Sequence, residues 1–112
     1  MSKLIRNIEH GVVLSLVEQV DYLPGQIVSK TLSQNNLHSL TLFAFDQGEE
    51  ISTHASEGDA LLLAIDGEGQ VTIGGETHML SSGEVIIMPA GIPHAVLATE
   101  RFKMLLSVSF SA

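Results

Sequence analysis

The sequence predicts an all-β domain, either an antiparallel sandwich or a small barrel, and three observations carry the prediction. Eight short β-rich runs follow one another across 85 residues, from Gln26 to Phe110. The breaks between them hold turn residues that favour positive φ or a sharp corner: Gly67-Glu68-Gly69, Gly74-Gly75 and Ser81-Ser82-Gly83. No helical segment of the dozen or so residues that a parallel crossover requires separates the runs, so hairpins are expected to join the strands.

Taken in order, Met1 to Gly11 is a polar start. From Val12 to Tyr22 the apolar residues Val13, Leu14, Leu16, Val17 and Val20 approach helical spacing, and Asp21-Tyr22-Leu23-Pro24-Gly25 closes the segment with a turn. A short helix is expected there. The β-rich runs are Gln26 to Leu32, Ser39 to Phe45, Ala60 to Asp66, Gln70 to Ile73, Thr77 to Leu80, Glu84 to Met88, Ala95 to Ala98 and Phe102 to Phe110. With no linker, repeat or charge block, residues 1–112 read as one domain, a barrel over about 26–110 preceded by an arm at 1–25.

Composition narrows the function. With 45% apolar residues the chain can offset its ordering entropy, so a disordered body is excluded. Five Lys and Arg against thirteen Asp and Glu leave a net charge of −8, which argues against nucleic acid and anionic membrane as partners. Zero cysteines remove disulfides, thiolate metal sites and cysteine nucleophiles. The start lacks a signal-peptide core and no window approaches 18 apolar residues, so a cytoplasmic protein is expected. A small barrel carrying the apolar arm residues Val12, Val13, Leu14, Leu16 and Val17 has more apolar surface than one interior hides, and a homodimer is expected. The glycines open no nucleotide loop, and no Gly-x-Ser-x-Gly elbow raises a serine nucleophile.

Two histidines stand at corners that can orient an imidazole. His54 lies five residues beyond the turn at Gly48, entering a strand expected to end at Gly67. His94 follows Pro89-Ala90-Gly91-Ile92-Pro93, a turn fixed by two prolines and a glycine. In the second stretch the spacing glycine, five residues, proline, one residue, glycine, two residues, histidine is met by Gly83, Pro89, Gly91 and His94. On these residues the chain resembles the cupin superfamily, over roughly Leu40 to Ala98. Gly48, His54 and Gly67 also fit the first cupin motif, whereas Ser56 stands for its second histidine, Ala60 for its glutamate, and Ala98 for the asparagine trailing the second motif.

The resemblance implies a double-stranded β-helix, or jelly-roll, barrel whose mouth holds a divalent metal on three histidines and a carboxylate. Of those four ligands His54 and His94 remain, so a zinc, nickel, iron or manganese ion is expected to be held weakly, if it is held at all. Asp59 beside the lost glutamate and His78, which shares the parity of Leu80, are candidate third ligands from outside the motif. Met79, Met88 and Met104 are candidates to line an apolar pocket, and His54, His94 and Met88 to contact a bound small molecule. His10 and His38 lie outside the motifs and are expected in solvent. Two functions follow: a small-molecule binder with a weak or degenerate metal centre, or a metal-dependent dioxygenase-type oxidoreductase or isomerase using His54 and His94. The binder is preferred, because Ala60 can neither ligate a metal nor move a proton.

Overall fold

The computed structural model describes residues 4–111. Nine strands form two sheets that face each other as a jelly roll: β1 (Ile27–Gln34), β2 (His38–Phe45), β3 (Glu50–His54), β4 (Asp59–Asp66), β5 (Glu68–Ile73), β6 (Glu76–Ser81), β7 (Val85–Met88), β8 (His94–Ala98) and β9 (Phe102–Ser109). The first sheet has the order β1-β2-β9-β4-β7 and the second β3-β8-β5-β6. Every neighbouring pair is antiparallel.

Three expectations need correction. Hairpins join only β1 to β2 and β5 to β6 among the described residues, and the other connections cross from sheet to sheet. Closing two facing sheets requires those crossings, and local turn chemistry does not report them. The expected helix over Val12 to Tyr22 shrinks to a single 3-10 turn, Leu16–Gln19. The arm lies flat on a sheet, where a long helix would lift half its apolar residues away. Gly69 belongs to strand β5 and not to a turn.

The periodic side chains of both sheets build the core. Leu62 and Ala64 on β4, Val71 on β5, Val96 and Ala98 on β8, and Phe102 and Met104 on β9 meet Phe45 between the sheets, each 2% exposed or less. Burying a side chain of the Leu or Phe class contributes about 1.5–3 kcal/mol, so this interior is the main source of stability in a chain without disulfides. Gly67 shows why one corner must be glycine: its φ is +72°, and a Cβ there would stand 1.8 Å from the Arg101 carbonyl oxygen.

A second, smaller core lies outside the first sheet. Val20 from the arm packs on Leu32, Leu42 and Ala44, with Ile8, Leu16 and Leu105 around them. Polar contacts tie the arm down. Lys103 Nζ donates to the Val17 carbonyl at 2.6 Å and Lys30 Nζ to the Gln19 carbonyl at 3.1 Å. The Tyr22 hydroxyl donates to Asp66, and the Tyr22 ring lies under the Lys103 ammonium, 4.7 Å from the ring centre.

Candidate functional site

His54 and His94 are direct cross-strand partners on β3 and β8. A bulge makes this so. Three residues on β8, Val96 to His94, are matched by four on β3, since Ile51 pairs with Val96 and His54 with His94. The extra residue at Ser52-Thr53 restores the pleat, so that Ile51 packs on the interior and His54 also turns toward it. The imidazole rings stand 4.4 Å apart between centroids, tilted by 69°. His94 is 3% exposed, whereas His54 is open to solvent at the barrel mouth. The expectation that His54 enters one strand running to Gly67 is thus corrected: it closes β3, and β4 begins only at Asp59.

Backbone bonds fix both rings. His54 Nδ1 is 2.9 Å from the Ser52 carbonyl and His94 Nδ1 is 3.1 Å from the Ile92 carbonyl. A carbonyl only accepts, so each Nδ1 carries the proton and each Nε2 presents a lone pair. A backbone carbonyl on one ring nitrogen is the arrangement that orients a ligating imidazole. Burial, and then the proximity of His54, hold the pKa of His94 below the ordinary histidine value, against the opposing effect of the Ile92 carbonyl. The neutral, lone-pair form therefore persists to lower pH than in a free imidazole.

The turn before His94 is braced from three sides. Gly91 N donates to the Ser56 carbonyl at 2.8 Å, Ala90 N to Asp59 Oδ1 at 2.8 Å, and Gly74 N to the Pro93 carbonyl at 2.9 Å. Asp59, a candidate third ligand, is thus committed to holding the turn. Ser56 is committed as well, since its hydroxyl accepts from Gly58 N at 3.1 Å. Gly58 itself is wedged against the end of β9, where a Cβ would lie 2.5 Å from the Ser109 carbonyl oxygen.

A Cupin domain family model matches residues 41–108. The chain belongs to the cupin family. It is similar along 99% of its length to a conserved protein of unknown function from Streptococcus pyogenes, with 42% identity, a TM-score of 0.97 and 97% of that chain covered. A cupin superfamily protein from Desulfitobacterium hafniense is 29% identical with a TM-score of 0.91, covering 96% of this chain and 98% of that one. An uncharacterized protein from Streptomyces coelicolor is 32% identical over 63 residues, 56% of this chain and 59% of that protein. The match therefore spans less than two thirds of that relative. The cupin-type double-stranded β-helix is the fold seen here.

In this cupin the structure brings His54 and His94 together and adds neither third candidate to them. His78 is on the edge strand β6 opposite Val71, two register rows away from the row that holds His94 and Ile73. Among the described residues no group of three or more His, Asp or Glu side chains is placed to hold one metal ion. Ala60, at the glutamate position, is 2% exposed and turns its methyl into the core opposite Met88. Met88 is 2% exposed and packs in the core beside Ala60, and Met104 is buried likewise. Met79 faces outward and is 48% exposed. His38 is not free in solvent, since its Nε2 is 2.9 Å from the Ser107 hydroxyl. His10 Nε2 donates to the Ile5 carbonyl at 2.7 Å. The supporting roles of Asp59 and Ser56 went unseen in the sequence, although Ser56-Glu57-Gly58 is legible as a side-chain-capped turn.

No helix among the described residues is long and apolar enough to cross a membrane.

Proposed function

We propose that the barrel mouth is a small-molecule site centred on the paired Nε2 atoms of His54 and His94, with a labile divalent metal as its co-ligand. The observation that supports this reading is the pair itself: two imidazoles on facing strands, rings 4.4 Å apart, each locked through Nδ1 with its other nitrogen free. The donor set suits an exchangeable two-imidazole centre rather than a closed structural one, which takes four protein ligands. A metal held there would supply a Lewis acid for a ligand oxygen.

The remaining side chains are those of a binder. Ala60 offers no carboxylate for proton transfer, and the imidazoles are the titratable groups at the pair. Three of the five cationic side chains are engaged away from the pair: Lys30 and Lys103 on arm carbonyls, Arg101 on Asp46 at 3.1 Å. A neutral or cationic molecule fits this balance, and an anion would need the metal as its countercharge.

The test is calorimetric titration of protein purified without a nickel column, using zinc, nickel, iron(II) and manganese salts alone. Wild type should take up one equivalent, less tightly on acidification, because protons compete with the metal for imidazole. His54→Ala should lose uptake and keep its fold, because the side chain is exposed at the end of an edge strand. Equal uptake by wild type and His54→Ala would make the pair structural.

A further inference from the structure

The register that pairs the two histidines continues beyond them. His54 faces His94, His94 faces Ile73 on β5, and Ile73 faces Glu76 on β6, so one row crosses the whole second sheet. Residues directly opposite each other on antiparallel strands stand on the same side of the sheet. Two neighbours identify that side. Ile73 packs against the interior core, and Leu80, which shares the parity of Glu76 along β6, is 5% exposed within it. Glu76 therefore stands on the interior side with the imidazoles, and as an exposed residue beside the Gly74-Gly75 turn it lies at the rim.

Charge placement singles this carboxylate out. The other glutamates in the strands of the second sheet, Glu50 and Glu68, pair with Leu97 and Ser81, in rows that alternate with the buried Val96 and Leu80, so they stand on the outer side. The strands of this sheet carry no Lys or Arg. The one ion pair among the described residues joins Arg101 to Asp46, so no described cation neutralises Glu76. Between Glu76 and His94 lies the apolar Ile73, and two strand spacings of about 4.8 Å set the Cα atoms of His94 and Glu76 about 10 Å apart. The row thus makes three demands on a ligand in sequence: an oxygen for the imidazole pair and its metal, an apolar span over Ile73, and a cation for the carboxylate.

We propose that Glu76 is a specificity residue of the mouth, and that it selects a small oxygen ligand carrying a primary ammonium a few methylenes away. The ammonium sits on Glu76 while the oxygen is held at His54 and His94. The assignment rests on the small-molecule site proposed above for that pair. A net charge of −8 also favours the approach of a cationic end.

Calorimetric titration of the zinc-loaded protein tests it, with β-alanine, γ-aminobutyrate and δ-aminovalerate set against propionate, butyrate and valerate. At the chain length that spans Ile73, the amino compound should bind about tenfold more tightly than its amine-free counterpart, as expected of a hydrogen bond to a charged group. Glu76→Gln should bring this ratio near unity, and Glu76→Lys should invert it. Position 76 is exposed, so far-UV circular dichroism should stay that of wild type. Glu50→Gln removes the same charge from the outer side and should keep the ratio. Zinc and carboxylate binding with no preference for the amine overturns the role of Glu76 and leaves the histidine site standing, as does a preference that survives Glu76→Gln or is lost equally in Glu50→Gln. Zinc uptake that is absent from wild type, or unchanged in His54→Ala, overturns both readings.

Discussion

Replacing Gly69 by alanine isolates one contact of the core in a single methyl. Gly69 lies in ordinary strand conformation inside β5, so alanine meets no backbone barrier there. Its Cβ would instead stand 2.8–2.9 Å from three atoms of the Phe102 ring. That ring cannot yield cheaply, since Phe102 is fully buried and packs at 5.9 Å between centroids on Phe45. Removing a strand glycine stabilises by about 0.4–1 kcal/mol through the unfolded chain, whereas overpacking a core costs about 1–3 kcal/mol. The net expectation is a loss of about 1–2 kcal/mol, or a fall in Tm of about 4–8 °C for a domain of this size. Thermal and urea unfolding followed by circular dichroism would measure it. Phe102→Leu in the same background should relieve the clash, so the double variant should lie at least about 0.5 kcal/mol above the sum of the two single losses. A Gly69→Ala protein as stable as wild type, or additive losses, would refute the assignment of Gly69 to this packing role.

Three further outcomes follow. His94 has a lowered pKa when folded, so the unfolded chain binds the extra proton; its contribution is complete above about 6.5 and is lost as the pH falls below that value, levelling off beneath the folded pKa. His94→Gln should remove this part of the slope, as read from urea midpoints between pH 4.5 and 8 at ~0.5-unit steps. Asp59→Ala should free the Ala90 amide, cost about 1 kcal/mol and weaken metal uptake at the pair without abolishing it, whereas complete loss of uptake would make Asp59 a ligand. Tyr22→Phe removes the hydroxyl bond to Asp66 and should cost about 1–2 kcal/mol and loosen the arm, seen as faster amide exchange over 12–20; the wild-type phenol, pushed up by burial and by Asp66, should resist ionisation at pH 10 by absorbance.

What the sequence determined by itself was local: the eight runs, their glycine corners and the two histidines, because turn chemistry and β-rich stretches act over a few residues. The motif spacing located His54 and His94 without saying that they face each other. That pairing depends on β3 meeting β8 and on a bulge at Ser52-Thr53, and a bulge costs the sequence no distinctive residue. β3 itself went unrecognised since Glu50–His54 is mostly exposed on a sheet edge and carries no alternating pattern. The arm misled by its apolar spacing, which serves packing on a flat sheet and not a helix of its own. Asp59 looked like a ligand from its place beside Ala60, and only the fold, which carries the Ala90 amide to it across 31 residues, shows the bond it makes. Corners and candidate imidazoles are written in neighbouring residues, whereas the mouth of the barrel is assembled from strands far apart in the chain, whose pairing depends on the whole fold.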